Sequence, residues 1–225
     1  MIKAVLFDLD DTLLDSLKAR VKALECVLTE AGITDINAKE FLFSLNGSPF
    51  REALKELEKT YHIKDDLFVK YRRAYWFNSQ DNLQLFPGVR EMLETLKADS
   101  CKLGIVTSKM HDTFFEGSRI GCALELEKME IGGLFSAVIG LEDVQKPKPD
   151  PECIHLALNK IGISPEHTLV AGDTIADIAA AQAAGCISCL AVWGISGKTA
   201  PAEAKAADFI ACDPHDIIKI LKRYA

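Results

Sequence analysis

No apolar run in this 225-residue sequence approaches the ~20 residues that a bilayer-spanning helix requires. Met1-Ile2-Lys3 leads into a short apolar stretch, Ala4 to Phe7, which Asp8 interrupts. That is too short for the core of a secretion signal, so the expectation is a cytoplasmic protein with no membrane partner. Dense Lys/Arg runs are also missing, and the formal net charge is −7. Broad electrostatic attraction to nucleic acid or to an anionic membrane is therefore disfavoured. The seven cysteines are scattered and odd in number. The lone Cys186-x-x-Cys189 has no second CxxC to complete a structural zinc site. Ile187, Leu190, Ala191 and Val192 read as a strand rather than the helix start a redox pair needs, so reduced, packed thiols are expected.

What is present is enough for a sizeable core. Hydrophobic residues make up 48% and charged residues 26%, a globular balance that suits one domain with a smaller insertion. Lys3 to Phe7 reads as a buried strand ending on an acidic loop. From Asp15 to about Gln80 the pattern is helical, with Leu17, Val21, Leu24 and Leu28 at helical spacing. Ala53, Leu54 and Leu57 mark another helix, and Leu67 to Phe77 a further one. At Phe86-Pro-Gly88 the pattern changes. Strands are predicted over Leu103–Thr107, Ala137–Gly140, Thr168–Ala171, Ile187–Val192 and Phe209–Ala211. Helices are predicted to follow Pro87, over Phe114–Met129, Cys153–Ile161 and Ile175–Ala184, and after Asp213-Pro214. Alternating strands and helices imply an α/β fold with a parallel sheet covered on both faces. The helical block is then an insertion: residues 1–14 and 86–225 form the core, and 15–85 a helical domain.

In an open parallel sheet, ligands bind beyond the carboxyl ends of the strands. Those ends carry Asp8-Leu-Asp10-Asp-Thr12, Thr107-Ser108-Lys109 and Gly172-Asp173, followed by Asp177, while Lys146 lies in the Lys146-Pro-Lys-Pro-Asp-Pro151 loop. Clustered carboxylates repel unless a cation lies among them. A few hard oxygen ligands suit Mg²⁺, which keeps water and takes substrate oxygens. Hydroxyls, a lysine and helix-start N–H groups suit a phosphoryl group. A carboxylate can attack phosphorus, and a second carboxyl nearby can protonate the leaving oxygen and later activate water.

Asp8-x-Asp10-x-Thr12, Thr107, Lys146 and Gly172-Asp173-x-x-x-Asp177 resemble, in order, the motifs of the haloacid dehalogenase superfamily. Phe7 to Ser16, Phe86-Pro-Gly-Val89 and Lys146 to Pro151 are similar to its phosphoglycolate phosphatase group. Thr107-Ser-Lys-Met-His-Asp-Thr113 is similar to bacterial pyrophosphatases of that group. The resemblance implies a Rossmann-like parallel sheet core with an inserted helical cap domain. It implies Mg²⁺ as cofactor and a small phosphorylated metabolite as partner, with the protein a monomer or homodimer. It also implies Asp8 as nucleophile and metal ligand, and Asp10 as the acid–base residue whose carbonyl also binds the metal. Thr107 and Ser108 would hold phosphate, Lys146 would neutralise charge between Asp8 and phosphate, and Asp173 and Asp177 would serve the metal. Lys148 is the rival for the lysine role. Asp11 reads as a turn residue.

The loop Asn46 to Arg51 resembles the specificity loop of the cap, with Gly47, Ser48 and Arg51 as candidate substrate contacts. Between Lys109 and Phe135 the chain is longer than the family pattern, with the extra length around Ala123 to Gly132, where a longer helix or loop is expected. The leading functional expectation is hydrolysis of a small phosphate ester such as phosphoglycolate. Alternatives are an inorganic pyrophosphatase, a β-phosphoglucomutase-type phosphotransferase or a catalytically silent binding module.

Overall fold

The computed structural model describes residues 1–45, 50–194 and 206–224. The chain divides into two compact units, one of residues 1–15 and 84–225, the other of residues 16–83. Among the described residues no helix is long and apolar enough to cross a membrane.

The first unit is built on a six-stranded, all-parallel sheet. In chain order its strands are β1 (Ala4–Phe7), β4 (Lys102–Val106), β7 (Ala137–Ile139), β8 (Thr168–Gly172), β9 (Ile187–Ala191) and β10 (Phe209–Ala211). They lie side by side as β10-β9-β8-β1-β4-β7. From β1 the chain winds outward through β4 to β7, then returns to the other side of β1 with β8. The winding direction therefore reverses at β1, and the crevice such a reversal opens lies beyond its carboxyl end.

Strand β1 shows why the sheet is buried. Its residues Ala-Val-Leu-Phe are fully enclosed, and with a period of two they serve opposite faces. Val5 and Phe7 join a core with α5 (Val89–Ala98) and α9 (Pro214–Lys222), through Val89, Met92, Leu93, Ile217 and Ile220. Leu6 joins the other core, with α7 (Glu152–Ile161) and α8 (Ile175–Ala183), through Ile154, Ala157, Leu158, Ala180 and Ala181. Burying a side chain such as Phe7 stabilises the fold by roughly 1.5–3 kcal/mol. The seven cysteines are all unpaired thiols, and Cys186 and Cys189 are buried in and beside β9.

Two short antiparallel pairs depart from the sequence expectation. Leu14–Asp15 (β2) pairs with Gln84–Leu85 (β3), so the two chain passages at the unit's boundary lie side by side. The predicted helix over Phe114–Met129 is corrected. Thr113–Phe115 (β5) and Ser118–Ile120 (β6) form a hairpin, and only Cys122–Lys128 (α6) is helical. Glu116 and Gly117 sit at φ +51° and +78°, the positive pair that a two-residue hairpin turn of the favoured hand needs. Gly121, at φ +130°, then ends the hairpin and starts α6. The stretch around Ala123 to Gly132, where a longer helix or loop was expected, holds most of the short helix α6.

The second unit is helical: α1 (Leu17–Glu30), α2 (Ala38–Ser44), α3 (Phe50–Thr60) and α4 (Leu67–Asn78). Leu24, Val27 and Leu28 of α1 are buried, and α1 packs on α4, whose Leu67, Tyr71, Ala74 and Tyr75 are buried. Asn37 and Asp66 cap α2 and α4 by accepting from the N–H groups of Glu40 and Val69. Tyr71 packs edge-on against Phe50, with centroids 4.5 Å apart, and stacks near Tyr75. Tyr71 and Tyr75 are buried in the unit's interior, and Phe50 is half-buried beside them.

Candidate active site

The site begins where the apolar strand β1 runs out. The Asp8 N–H donates to Ala171 O at 2.9 Å, which extends the ladder with β8 one residue past the strand. Asp8 is buried, so its carboxyl is fixed at the crevice. The chain then turns tightly, with Leu13 and Leu14 N–H both donating to Leu9 O at 2.9 Å. Asp11 takes the left-handed position of this turn at φ +63°, which Asp tolerates better than most residues. Asp10 remains half-buried beside it.

The lysine facing Asp8 is Lys148, and the expectation of Lys146 is corrected. Lys148 Nζ donates to Asp8 Oδ1 at 2.6 Å, to Asp177 Oδ1 at 2.6 Å and to Val106 O at 3.1 Å. An ammonium has three donors, and these acceptors match them. Lys146 is exposed. Glu152, in the first turn of α7, accepts from the backbone N–H of Gln145 and Lys146 and holds that part of the loop outward. Both lysines precede a proline, so local sequence does not separate them. The usable signal was nearness to the start of α7, which carries the chain back onto β4 and β7.

Strand β8 delivers Asp173 and, through the first turn of α8, Asp177. Thr174 and Asp177 form a reciprocal cap: the Asp177 N–H reaches Thr174 Oγ1, while Thr174 N–H and Oγ1 donate to Asp177 Oδ2. With Lys148 on Oδ1, both Asp177 oxygens already accept from protein donors. Asp177 therefore stands behind Lys148, an arrangement that suits the indirect of its two expected metal roles, direct ligand or outer partner. Gly172 makes this possible, because a Cβ there would lie 2.3 Å from Asp177 Cγ. Thr12, fully buried, donates to Asp173 Oδ1 at 3.3 Å and ties the β1 turn to the β8 end.

Strand β4 delivers Thr107, which is buried; its Oγ1 accepts from the Lys109 N–H at 3.2 Å. Ser108 is exposed. Lys109 Nζ donates to Asp10 Oδ1 at 3.0 Å and to both oxygens of Glu125, at 3.0 and 2.8 Å. Sequence reasoning missed Glu125, because an acid in a short amphipathic helix reads as a solvated one.

Burial pushes the Asp8 carboxyl well above the usual range; Lys148 pulls it back, and the charges of Asp177 and Asp173 raise it further. Burial disfavours the Lys148 ammonium, but Asp177 and Asp8 outweigh burial and hold its pKa above the ordinary value. Carboxylates thus outnumber the ammonium that faces them. A hard dication relieves such an excess, and one of the Mg²⁺ kind keeps much of its water and takes one or two carboxylates. Among the described residues no three His, Cys, Asp or Glu side chains form a metal cage, which such a cation does not require. Asp8, Asp173 and the Asp10 carbonyl fit it as oxygen donors.

Of the remaining candidates, Gly47 and Ser48 lie outside the described residues. Arg51, in the helical unit, places its guanidinium 5.3 Å from the Phe68 ring centroid, a cation–π contact.

The chain is similar to known proteins along nearly its whole length. Residues 5–192 match the family model of haloacid dehalogenase-like hydrolases. The chain is 32% identical over 221 residues to pyrophosphatase PpaX of Oceanobacillus iheyensis, covering 98% of this chain and 97% of that protein. It is 28% identical over 226 residues to phosphoglycolate phosphatase of Aquifex aeolicus, covering 99% and 98%. Among solved structures it is similar to a predicted phosphoglycolate phosphatase from Haemophilus somnus 129pt, with TM-score 0.80, 27% identity and 98% of each chain covered.

Proposed function

The chain belongs to the haloacid dehalogenase-like hydrolases, and from that premise we propose that it is a Mg²⁺-dependent phosphatase acting on a small phosphorylated metabolite. The observation that carries this reading is the Lys148 ammonium seated between Asp8 and Asp177 at the sheet's reversal point. A fixed, buried carboxylate with a cation on one oxygen keeps its other oxygen for a nucleophilic role.

In the first step Asp8 attacks phosphorus, the bond to the leaving oxygen breaks, and Asp10 gives that oxygen a proton. The product is an aspartyl phosphate and a free alcohol. In the second step Asp10 takes a proton from water, the water oxygen attacks phosphorus, and Asp8 is released. In this reading Thr107 and the N–H of Ser108 hold phosphoryl oxygens, and Lys148 offsets their charge. Bound Mg²⁺ would supply further neutralisation of those oxygens and of Asp8 and Asp173. Uncatalysed phosphate monoester hydrolysis is among the slowest reactions known, accelerated by up to ~10²¹-fold. Acid–base help supplies only ~10²–10⁴ of this, so positioning and electrostatics carry most of the rest.

A phosphoglycolate-like monoester is the first substrate class, and the Aquifex relative favours it. Pyrophosphate is the second reading, favoured by the PpaX relative. The test is phosphate release from phosphoglycolate, pyrophosphate, hexose 1-phosphates and nucleotides, with Mg²⁺ and with EDTA. Release with Mg²⁺ alone, abolished by Asp8→Asn, is expected. No release from any of them would favour a silent binding module. Conversion of a hexose 1-phosphate to its 6-phosphate without release would favour a mutase.

A further inference from the structure

We infer that Lys109 and Glu125 are positioning residues for Asp10, which hold its carboxyl in place for proton exchange with the departing oxygen of the substrate. The inference rests on the phosphatase reading above.

Asp10 follows the strand-end turn and keeps a quarter of its side chain exposed, so the backbone alone does not fix its carboxyl. Lys109 holds it, with Nζ 3.0 Å from Asp10 Oδ1. A lysine stem is flexible and its ammonium is a point charge, so a single such contact orients weakly. Here both ends of the lysine are held. Its N–H is tied to Thr107 Oγ1, and its ammonium is gripped by both oxygens of Glu125, which is fully buried.

Glu125 is in turn held by α6. Cys122 and Leu126 on either side of it belong to the core, and the N–H groups of Cys122 and Ala123 return to the carbonyls of Met110 and His111. Arg119 of β6 clasps Asp112 and Glu127. The hairpin and helix thus form a brace for Lys109. A buried carboxylate is costly to desolvate, and an apolar residue of like size packs as well or better. Packing therefore does not explain a glutamate here, whereas holding a lysine does.

The consequence for the chemistry follows from where Asp10 is held. A carboxyl kept in one place passes its proton to the ester oxygen as the bond to phosphorus breaks, and in the second half takes a proton back from water. The Thr107 hydroxyl meets the Lys109 backbone N–H, which a side-chain substitution keeps.

The test compares kcat/KM, which reports the steps through departure of the leaving group, on two esters with Mg²⁺ present. One is an alkyl phosphate, whose alcohol must be protonated; the other is a nitrophenyl phosphate, whose phenolate departs unaided. In Lys109→Met the alkyl-to-aryl ratio of kcat/KM is expected to fall about a hundredfold, and in Glu125→Gln about tenfold, within the ~10²–10⁴ that acid–base catalysis supplies. Lys109→Arg, which keeps a cation, is expected to restore part of the ratio. If Lys109→Met fails to fold with Glu125 left uncompensated, the double variant K109M/E125Q, which removes both charges, is read in its place. A ratio equal to the wild type in these variants, with the wild type active, overturns the positioning role alone. A wild type inactive on both esters overturns the phosphatase reading and this inference with it.

Discussion

Lys148 donates from Nζ to Asp8 Oδ1 at 2.6 Å, across 140 positions of sequence. The lysine side chain is 7% exposed and the Asp8 side chain 11%, so water screens the pair little. Removing one partner of such a pair leaves an uncompensated charge, at a cost of about 3–5 kcal/mol. Lys148→Met is therefore expected to lower kcat on an aryl phosphate by at least about a hundredfold (~2.7 kcal/mol). Lys146→Ala is expected to stay within about twofold, as a surface change usually does. Steady-state kinetics on the two variants checks this, and the reverse pattern would restore Lys146 to the site.

Gly172 is the narrowest point of the same cluster. An added Cβ would stand 2.3 Å from Asp177 Cγ and 2.6 Å from its Oδ2. Gly172→Ala is expected to destabilise by roughly 1–3 kcal/mol, as overpacking does. It should also displace the carboxylate that anchors Lys148, so kcat falls with stability. Urea unfolding alongside kinetics checks both, and a variant of wild-type stability and activity would contradict the close approach.

His215 gives a pH test remote from the chemistry. Its Nδ1 lies 2.8 Å from Asp213 Oδ1 and its Nε2 3.3 Å from Glu91 Oε2. Hydrogen bonding to Asp213, then to Glu91, raises the imidazole above its ordinary value of 6.5. A folded pKa above the unfolded one gives stability that is fully present below the unfolded value and lost as pH rises through the folded one. His215→Gln is thus expected to lower Tm at a pH of about 5.5–6, with the difference from wild type shrinking by about pH 8.5. A difference that does not change with pH would contradict the coupling.

Much of the candidate site's placement was legible because buried strands and the polar groups at their ends contrast sharply in sequence. Ala4 to Phe7 gives way at once to Asp8, Val106 to Thr107, and Gly172 to Asp173. The parallel sheet then brings those breaks together. The lysine was not legible, since Lys146 and Lys148 share the same Lys-Pro context and differ only in how Glu152 ties down the loop. The hairpin at Thr113–Ile120 was hidden because its turn depends on positive φ at Glu116 as well as Gly117, and glutamate does not advertise that conformation. Glu125 was hidden because burial of an acid is a tertiary fact: the placement of Lys109 beside it helps make a carboxylate tenable there.

The central claim is that Asp8, not water, makes the first bond to phosphorus. The most direct measurement is the stereochemical course at phosphorus, using an ester made chiral there with sulfur and oxygen isotopes and hydrolysed with Mg²⁺. Two in-line displacements, through Asp8 and then water, predict retention of configuration. Inversion would mean a single attack by water and would contradict the account.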